Sequence, residues 1–254
     1  MEEQIPLKNI GENPSLSVVI PLYNEEKNVE LVVAQTIEAL TPSHIPFEIL
    51  CVNNASTDNT EAVIRQMMAR HQQVRGVFLS GKGYGLAINT GFKEAKNDLV
   101  TFISGDGQID PQDILMAYEV LQRTGADIVK PRRISRADGI FRKIQSTIYN
   151  ILLKLFFGLP GWDMNCPAKL IKRSFVEKLN IESTDWFIDP EILIKTKYLG
   201  GQMKESEAVY RKRVHGFGQI NLGSAWEFFR NMIRWRIHYQ ELVVQALDKN
   251  KRKD

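Results

Sequence analysis

The chain has 254 residues, 43% hydrophobic and 25% charged, with 33 Lys/Arg against 30 Asp/Glu and a formal charge of +3. That size suits one large α/β core with a small appendage, and the near balance of charge excludes a partner captured by overall basicity, so no nucleic acid is expected. Two cysteines exclude a disulfide framework, and no apolar run reaches the roughly 18 residues that cross a bilayer.

In chain order, short β-branched runs alternate with helical patterns. LSVVIPL is followed by a helix over Glu25–Leu40, FEILCVN by one over Asp58–His71, and VRGVFLS by one over Gly83–Ala95. DLVTFIS precedes a helix over Pro111–Arg123, and ADIVK closes the series. This alternation predicts a parallel, doubly wound sheet with helices on both faces. Ligands in such sheets lie beyond the carboxyl ends of the strands. The segments of interest are therefore Pro21–Glu25, Asn53–Asp58, Ser80–Gly85 and Ser104–Gln108.

Past Lys130, Ile140–Phe157 reads as a basic amphipathic helix, ended by Gly158–Gly161. Helices over Ser174–Leu179 and Pro190–Leu199 flank short strands at Ala168–Ile171 and Met203–Tyr210. A last helix, about Ala225–Ala246, carries Trp226, Phe228, Phe229, Trp235 and Tyr239, an aromatic stripe read as core or subunit packing. Between Ile128 and Lys154 seven Lys/Arg stand against one acid, Asp138. That local excess points to an anionic ligand or a membrane surface. The first residues, MEEQIPLKNIGENP, lack the pattern of a signal peptide. A reducing, cytoplasmic setting follows as the expectation, soluble or peripheral to a membrane, with Cys51 a buried thiol.

The common α/β motifs are absent. GKGYGLAINTG does not fit G-x-G-x-x-G and follows the third strand, it lacks the Gly-Lys-Ser/Thr ending of a P-loop, and there is no G-x-S-x-G. His44, His71, His215 and His238 have no metal-ligand spacing. By contrast TFISGDGQIDP ends an apolar run in Asp106 between two glycines, with Gln108 two residues on. Two oxygen donors so spaced at a strand end suit a divalent cation, and a plain turn is the alternative.

Four stretches in order, SVVIPLYNEEKNV, VNNASTDNT, GKGYGLAINTGFKEA and SGDGQIDP, resemble the loops of the family 2 glycosyltransferases of the GT-A fold. The resemblance implies a Rossmann-like, mostly parallel sheet with helices on both faces and a C-terminal helical extension. DIVKPRR, GLPGWDMNCPAKLIKRSFVEKL, WFIDPEILIKTKYLG and YRKRVHGFGQ look like the polyprenyl-phosphate hexose synthases, dolichol-phosphate mannose synthase among them. Those enzymes move a sugar from a nucleotide donor to a lipid-linked phosphate with inversion. The domain division expected is 1–219 for the catalytic unit, its nucleotide-sugar half 16–130 and acceptor half 131–219, with 220–254 an amphipathic helix and basic tail.

By that resemblance Pro21, Tyr23, Glu25, Asn54, Asp58 and Lys82 contact the nucleotide sugar, GDP- or UDP-linked. Asp106 and Gln108 hold Mg²⁺ or Mn²⁺. Arg133, with Arg132, Arg142 and Arg213, meets the acceptor phosphate. Asp189 is the candidate base if the acceptor is instead a saccharide hydroxyl, as in polysaccharide or lipopolysaccharide assembly. Asp163 and Lys169 match D-x-x-C-x-x-K, open to a structural ion pair or to catalysis. Asp58 and Glu25 are open to simple capping and turn roles. The chain departs from the family pattern at Asn53, Asn54 and Ala55 (two acids and a glycine), at Ser104 (the first acid of D-x-D) and at Gln219 (a lysine). A non-catalytic nucleotide-sugar-binding subunit is the alternative from another class, and a separate membrane protein is a possible partner.

Overall fold

The computed structural model describes residues 13–136, 140–210 and 229–238. Seven strands form one sheet: β1 (Leu16–Leu22), β2 (Phe47–Asn54), β3 (Val74–Leu79), β4 (Leu99–Phe102), β5 (Ile128–Arg136), β6 (Leu170–Lys172) and β7 (Met203–Tyr210), in the order β3-β2-β1-β4-β6-β5-β7. All seven residues of β1 are buried, because helices cover both its faces. Leu16, Val18, Ile20 and Leu22 point to one face, where α1 (Val29–Leu40), α2 (Thr60–Arg70) and α4 (Gln112–Thr124) pack. Val19 points to the other, joined by α3 (Tyr84–Glu94), α5 (Ile140–Phe157), α6 (Arg173–Leu179) and α7 (Ile188–Tyr198). Residues 229–238, α8, add Met232 and Trp235 to that second core.

Strands β1 to β3 step outward, and the chain then returns to place β4 on the other side of β1. The direction of winding thus reverses between β1 and β4, and a crevice opens beyond their carboxyl ends. Beyond β4 the sheet departs from a purely parallel one. Strand β6 runs antiparallel to both β4 and β5, while β5 and β7 pair in parallel.

Two boundaries differ from the sequence reading for identifiable reasons. Strand β5 runs on to Arg136, so Arg132 and Arg133 lie within the strand rather than after it, opposite Glu207 and Ala208 of β7. Pro131 is tolerated because β6 pairs only with Ile128 and Val129, leaving no neighbour on that side that needs its missing N–H. Helix α1 starts at Val29, not Glu25. The N–H groups of Asn24, Glu25 and Glu26 donate across to Ser56 Oγ (3.0 Å), Thr60 Oγ1 (2.9 Å) and Asp58 (3.2 Å), which keeps that segment out of the helix.

Candidate active site

The loops after β1, β2, β3 and β4 are tied to one another. Asp58 accepts from the N–H (3.0 Å) and hydroxyl (2.5 Å) of Thr60 as well as from Glu26 N–H. Burial pushes this carboxyl up, and those hydrogen bonds outweigh it and hold it below the ordinary aspartate range. Glu25 accepts from the Asn28 side chain at 2.5 Å. Both acids are thus engaged within the loops, Asp58 on Thr60 at the first residue of α2 and Glu25 on Asn28 ahead of α1.

Asn53 and Asn54 are buried, and their amide oxygens accept from Ser56 N–H (3.2 Å) and Gly83 N–H (2.7 Å). Ala55, in the family's glycine position, has φ +55°. An alanine there carries a backbone cost of about 1–2 kcal/mol relative to right-handed geometry.

Lys82 and Tyr23 are brought together, the lysine Nζ lying 3.6 Å from the centre of the tyrosine ring. Gly83 N–H is held by Asn54, and Leu86 N–H donates to the Thr184 carbonyl at 3.2 Å. A Cβ on Gly85 would stand 2.6 Å from the carbonyl oxygens of both Ser183 and Asp185, so glycine is required by backbone packing. Tyr84 stacks on Trp186 at 4.1 Å, an aromatic pair that no sequence spacing revealed.

Asp106 closes its own turn. Its Oδ1 accepts from Ser104 Oγ (2.7 Å) and Gln108 N–H (3.1 Å), and Gly107 takes φ +74°. Gly105 lets this turn approach β1, since a Cβ there would meet Pro21 O at 3.0 Å and Leu22 Cδ2 at 2.5 Å. The residue before Asp106 is thereby set against Pro21 and Leu22. Among the described residues no three His, Cys, Asp or Glu side chains gather as a metal cluster. The residues fit a hard cation of the kind held by one carboxylate together with a ligand's phosphates and water, and do not fit a closed all-protein cage.

On the other side of β4 lie two largely buried ion pairs, Arg133–Asp163 and Lys169–Asp189, and a third, Lys130–Glu205, buried at its lysine alone. Arg133 grips Asp163: its Nε donates to Oδ2 at 2.6 Å, its backbone N–H to the same oxygen at 3.1 Å, and its Nη2 to Oδ1. Lys169, fully buried, binds Asp189 and the Cys166 carbonyl. Burial pushes the Asp189 carboxyl up, opposed by Lys169 and Arg133. Lys130, also fully buried, pairs with Glu205 at 2.7 Å and donates to the Trp162 carbonyl. Burial pulls its ammonium below the ordinary lysine range, against the pull of Glu205.

Asp163 and Lys169 are thus both in ion pairs, though with Arg133 and Asp189 rather than with each other. Lys130 and Glu205 were missed by the sequence reading, where a lysine ending an apolar run resembles an ordinary solvated strand end. Arg132 is exposed, while Arg213, Gln219 and the Arg142 side chain lie outside the described residues. Cys51 and Cys166 are free and buried, their thiols pushed to about 12, which makes them unreactive.

Residues 17–180 match the model of glycosyl transferase family 2. The undecaprenyl-phosphate 4-deoxy-4-formamido-L-arabinose transferase of Photorhabdus laumondii is 30% identical over 65% of this chain and 51% of its own. The dodecaprenyl-phosphate galacturonate synthase of Rhizobium johnstonii is 29% identical over 65% of this chain and 50% of its own. The chain spans about half the length of these curated relatives. Among solved structures, glucosyl-3-phosphoglycerate synthase from Mycobacterium tuberculosis, in complex with Mn²⁺, UDP and glucosyl-3-phosphoglycerate, superposes with a TM-score of 0.67. It is 20% identical, over 88% of this chain and 80% of that one. TarS from S. aureus with UDP-GlcNAc gives 0.58 at 17% identity, over 92% and 71%. These likenesses place the architecture in the GT-A class. With its sequence match, sheet winding and crevice in agreement, the chain belongs to glycosyl transferase family 2.

Proposed function

We propose that the chain transfers a hexose from a UDP- or GDP-sugar to a polyprenyl phosphate at a membrane surface, with inversion at the anomeric carbon. The observation that carries this reading is the buried pair Lys169–Asp189. A hydroxyl acceptor needs a base that reaches its proton, and Asp189 is engaged by a buried ammonium. A phosphate monoester, with a second pKa of about 6, is already ionised near neutral pH and needs no base. The names of the relatives, which include undecaprenyl- and dodecaprenyl-phosphate sugar enzymes, support the same acceptor class.

In this reading the half over 16–130 takes the donor. Pro21, Tyr23, Glu25, Asn54 and Asp58 frame the nucleoside, and Lys82 faces the diphosphate. Asp106 and Gln108 hold Mg²⁺ or Mn²⁺, which when bound neutralises charge developing on the departing nucleoside diphosphate. The half over 131–219 takes the acceptor, whose phosphate Arg133 orients, assisted by Arg132, Arg142 and Arg213. An oxygen of that phosphate forms the new bond to C1 as the bond from C1 to the donor's β-phosphate oxygen breaks on the opposite face.

Helix α5 supports a surface-bound acceptor. Ile144, Ile148, Ile151 and Leu155 form an exposed apolar stripe on a helix whose sequence has three basic residues and no acid. On α8, Trp235 of the aromatic stripe packs into the core beside Met232, while Phe229 of the same stripe, with Ile233 and Ile237, is exposed, and Trp226, Phe228 and Tyr239 lie outside the described residues. No helix among the described residues is long and apolar enough to cross a membrane.

The test is product analysis by mass spectrometry with a panel of UDP- and GDP-hexoses, Mg²⁺ or Mn²⁺, and either a short polyprenyl phosphate or a saccharide. Sugar on the lipid phosphate supports the proposal. Sugar only on the saccharide replaces it with the hydroxyl-acceptor reading, and nucleotide binding without transfer to either replaces it with a binding subunit.

A further inference from the structure

Helix α5 carries, on its inner side, the buried Asn150. Its Oδ1 accepts the N–H of Met164 at 2.9 Å, and its Nδ2 donates to the Ser146 carbonyl at 2.6 Å, which fixes the amide's orientation. Met164 follows Asp163, the residue that grips Arg133 through both carboxylate oxygens. Asp163 has φ +60°, a conformation uncommon outside glycine that persists only where surroundings over-determine it. Here they do. Arg133 holds its side chain, its carbonyl accepts Cys166 N–H at 3.0 Å, and Asn150 holds the next peptide. Farther along, Lys169 binds the Cys166 carbonyl, and Ala168 N–H donates to Phe102 at the end of β4, so the loop is stapled at both ends.

We infer that Asn150 and Asp163 are positioning residues which set the Arg133 guanidinium for the acceptor phosphate, so that α5 aligns the acceptor site as well as presenting its outer stripe. The inference rests on the proposed role of Arg133. Asn150 touches no substrate in this scheme; it acts through Met164 and Asp163 on Arg133. Its loss frees the 163–164 peptide, lets the Asp163 carboxylate swing and misdirects the guanidinium. The donor side, built on Tyr23, Lys82 and Asp106, stays as it was.

The experiment measures, in the full chain, KM for a short polyprenyl phosphate, kcat, and the affinity for UDP and GDP. Asn150→Ala is expected to lower kcat/KM for the acceptor on the order of tenfold to a hundredfold, the usual cost of about an ångström of misplacement, with nucleotide affinity unchanged. Asn150→Asp keeps an oxygen facing Met164 N–H but sets a second one against the Ser146 carbonyl, and restores only part of the loss. In an Arg133→Lys background Asn150→Ala adds little, because the group it positions is already gone. Asp163→Asn, nearly isosteric, gives the same acceptor-side loss and carries the test if Asn150→Ala does not fold. Equal losses in nucleotide affinity and acceptor KM overturn the inference, as does an unchanged acceptor KM in Asn150→Ala and Asp163→Asn where Arg133→Lys raises it. If Arg133→Lys itself leaves acceptor KM unchanged, the proposed acceptor site fails, and that outcome is distinct.

Discussion

Lys169 and Asp189 meet as a buried ion pair between the approach to β6 and the first turn of α7. Breaking such a pair from one side strands a charge in the interior, at a cost of about 3–5 kcal/mol, whereas replacing both partners by apolar groups is often neutral. Asp189→Leu should therefore lower unfolding free energy by about that amount, and Lys169→Met with Asp189→Leu should recover most of it. Urea unfolding of the three proteins checks this. A single variant of wild-type stability that has lost all turnover would make Asp189 a catalytic base instead.

Asp106→Asn is expected to abolish metal-dependent turnover while leaving thermal unfolding within about 0.5 kcal/mol of wild type, since the turn keeps an oxygen for Ser104 and Gln108. Ser104→Asp puts a second carboxylate beside the first and should tighten Mn²⁺-dependent nucleotide binding, read by calorimetry with and without the ion. Undiminished turnover in Asp106→Asn would remove the ion from this turn.

Ala55→Gly relieves a left-handed alanine at φ +55°. The relief of about 1–2 kcal/mol, less the 0.5–1 kcal/mol entropy of a new glycine, leaves a net gain of about 0.5–1 kcal/mol in chemical unfolding. By the same logic Gly85→Ala, which drives a methyl against two backbone carbonyls, should cost about 1–3 kcal/mol.

The order of elements was legible because burial imposes a period: β1 is apolar but for Ser17, and the α4 pattern repeats at helical spacing. The crevice followed from that order, and with it the positions of Tyr23, Lys82 and Asp106. The ion pairs were not legible, because Arg133 and Asp163 are 30 residues apart and Lys169 and Asp189 are 20 apart. At such separations no periodic signal links the partners. The antiparallel β6 escaped for a related reason, since three residues are too few to carry an orientation. Gly83 and Gly85 fit no phosphate-loop spacing, and only the packing of the 183–185 backbone against them explains both.

Glu48 is one of several carboxylates, Asp58 among them, that contribute to the acid limb of stability. Burial pushes its carboxyl up, but the Lys96 N–H, the Ser17 hydroxyl and Arg75 outweigh that and leave it below the ordinary range. With the folded pKa depressed, the unfolded chain binds more protons as pH falls from the ordinary glutamate value, about 4.3, through the lower folded one, and stability is lost across that window. Glu48→Gln should be less stable at pH 7 and lose stability less steeply below pH about 4.3. Acid titrations of unfolding free energy running parallel in the two proteins would contradict this.

In the proposed reaction an ionised phosphate, and not a hydroxyl, accepts the sugar. The most direct measurement is a one-pot competition between a short polyprenyl phosphate and the corresponding polyprenol, with the active nucleotide sugar and Mn²⁺, products resolved by mass spectrometry. A sugar–phosphate–lipid product alone is expected, abolished in Asp106→Asn. Transfer to the alcohol, or to saccharide hydroxyls in preference to the phosphate, would contradict it.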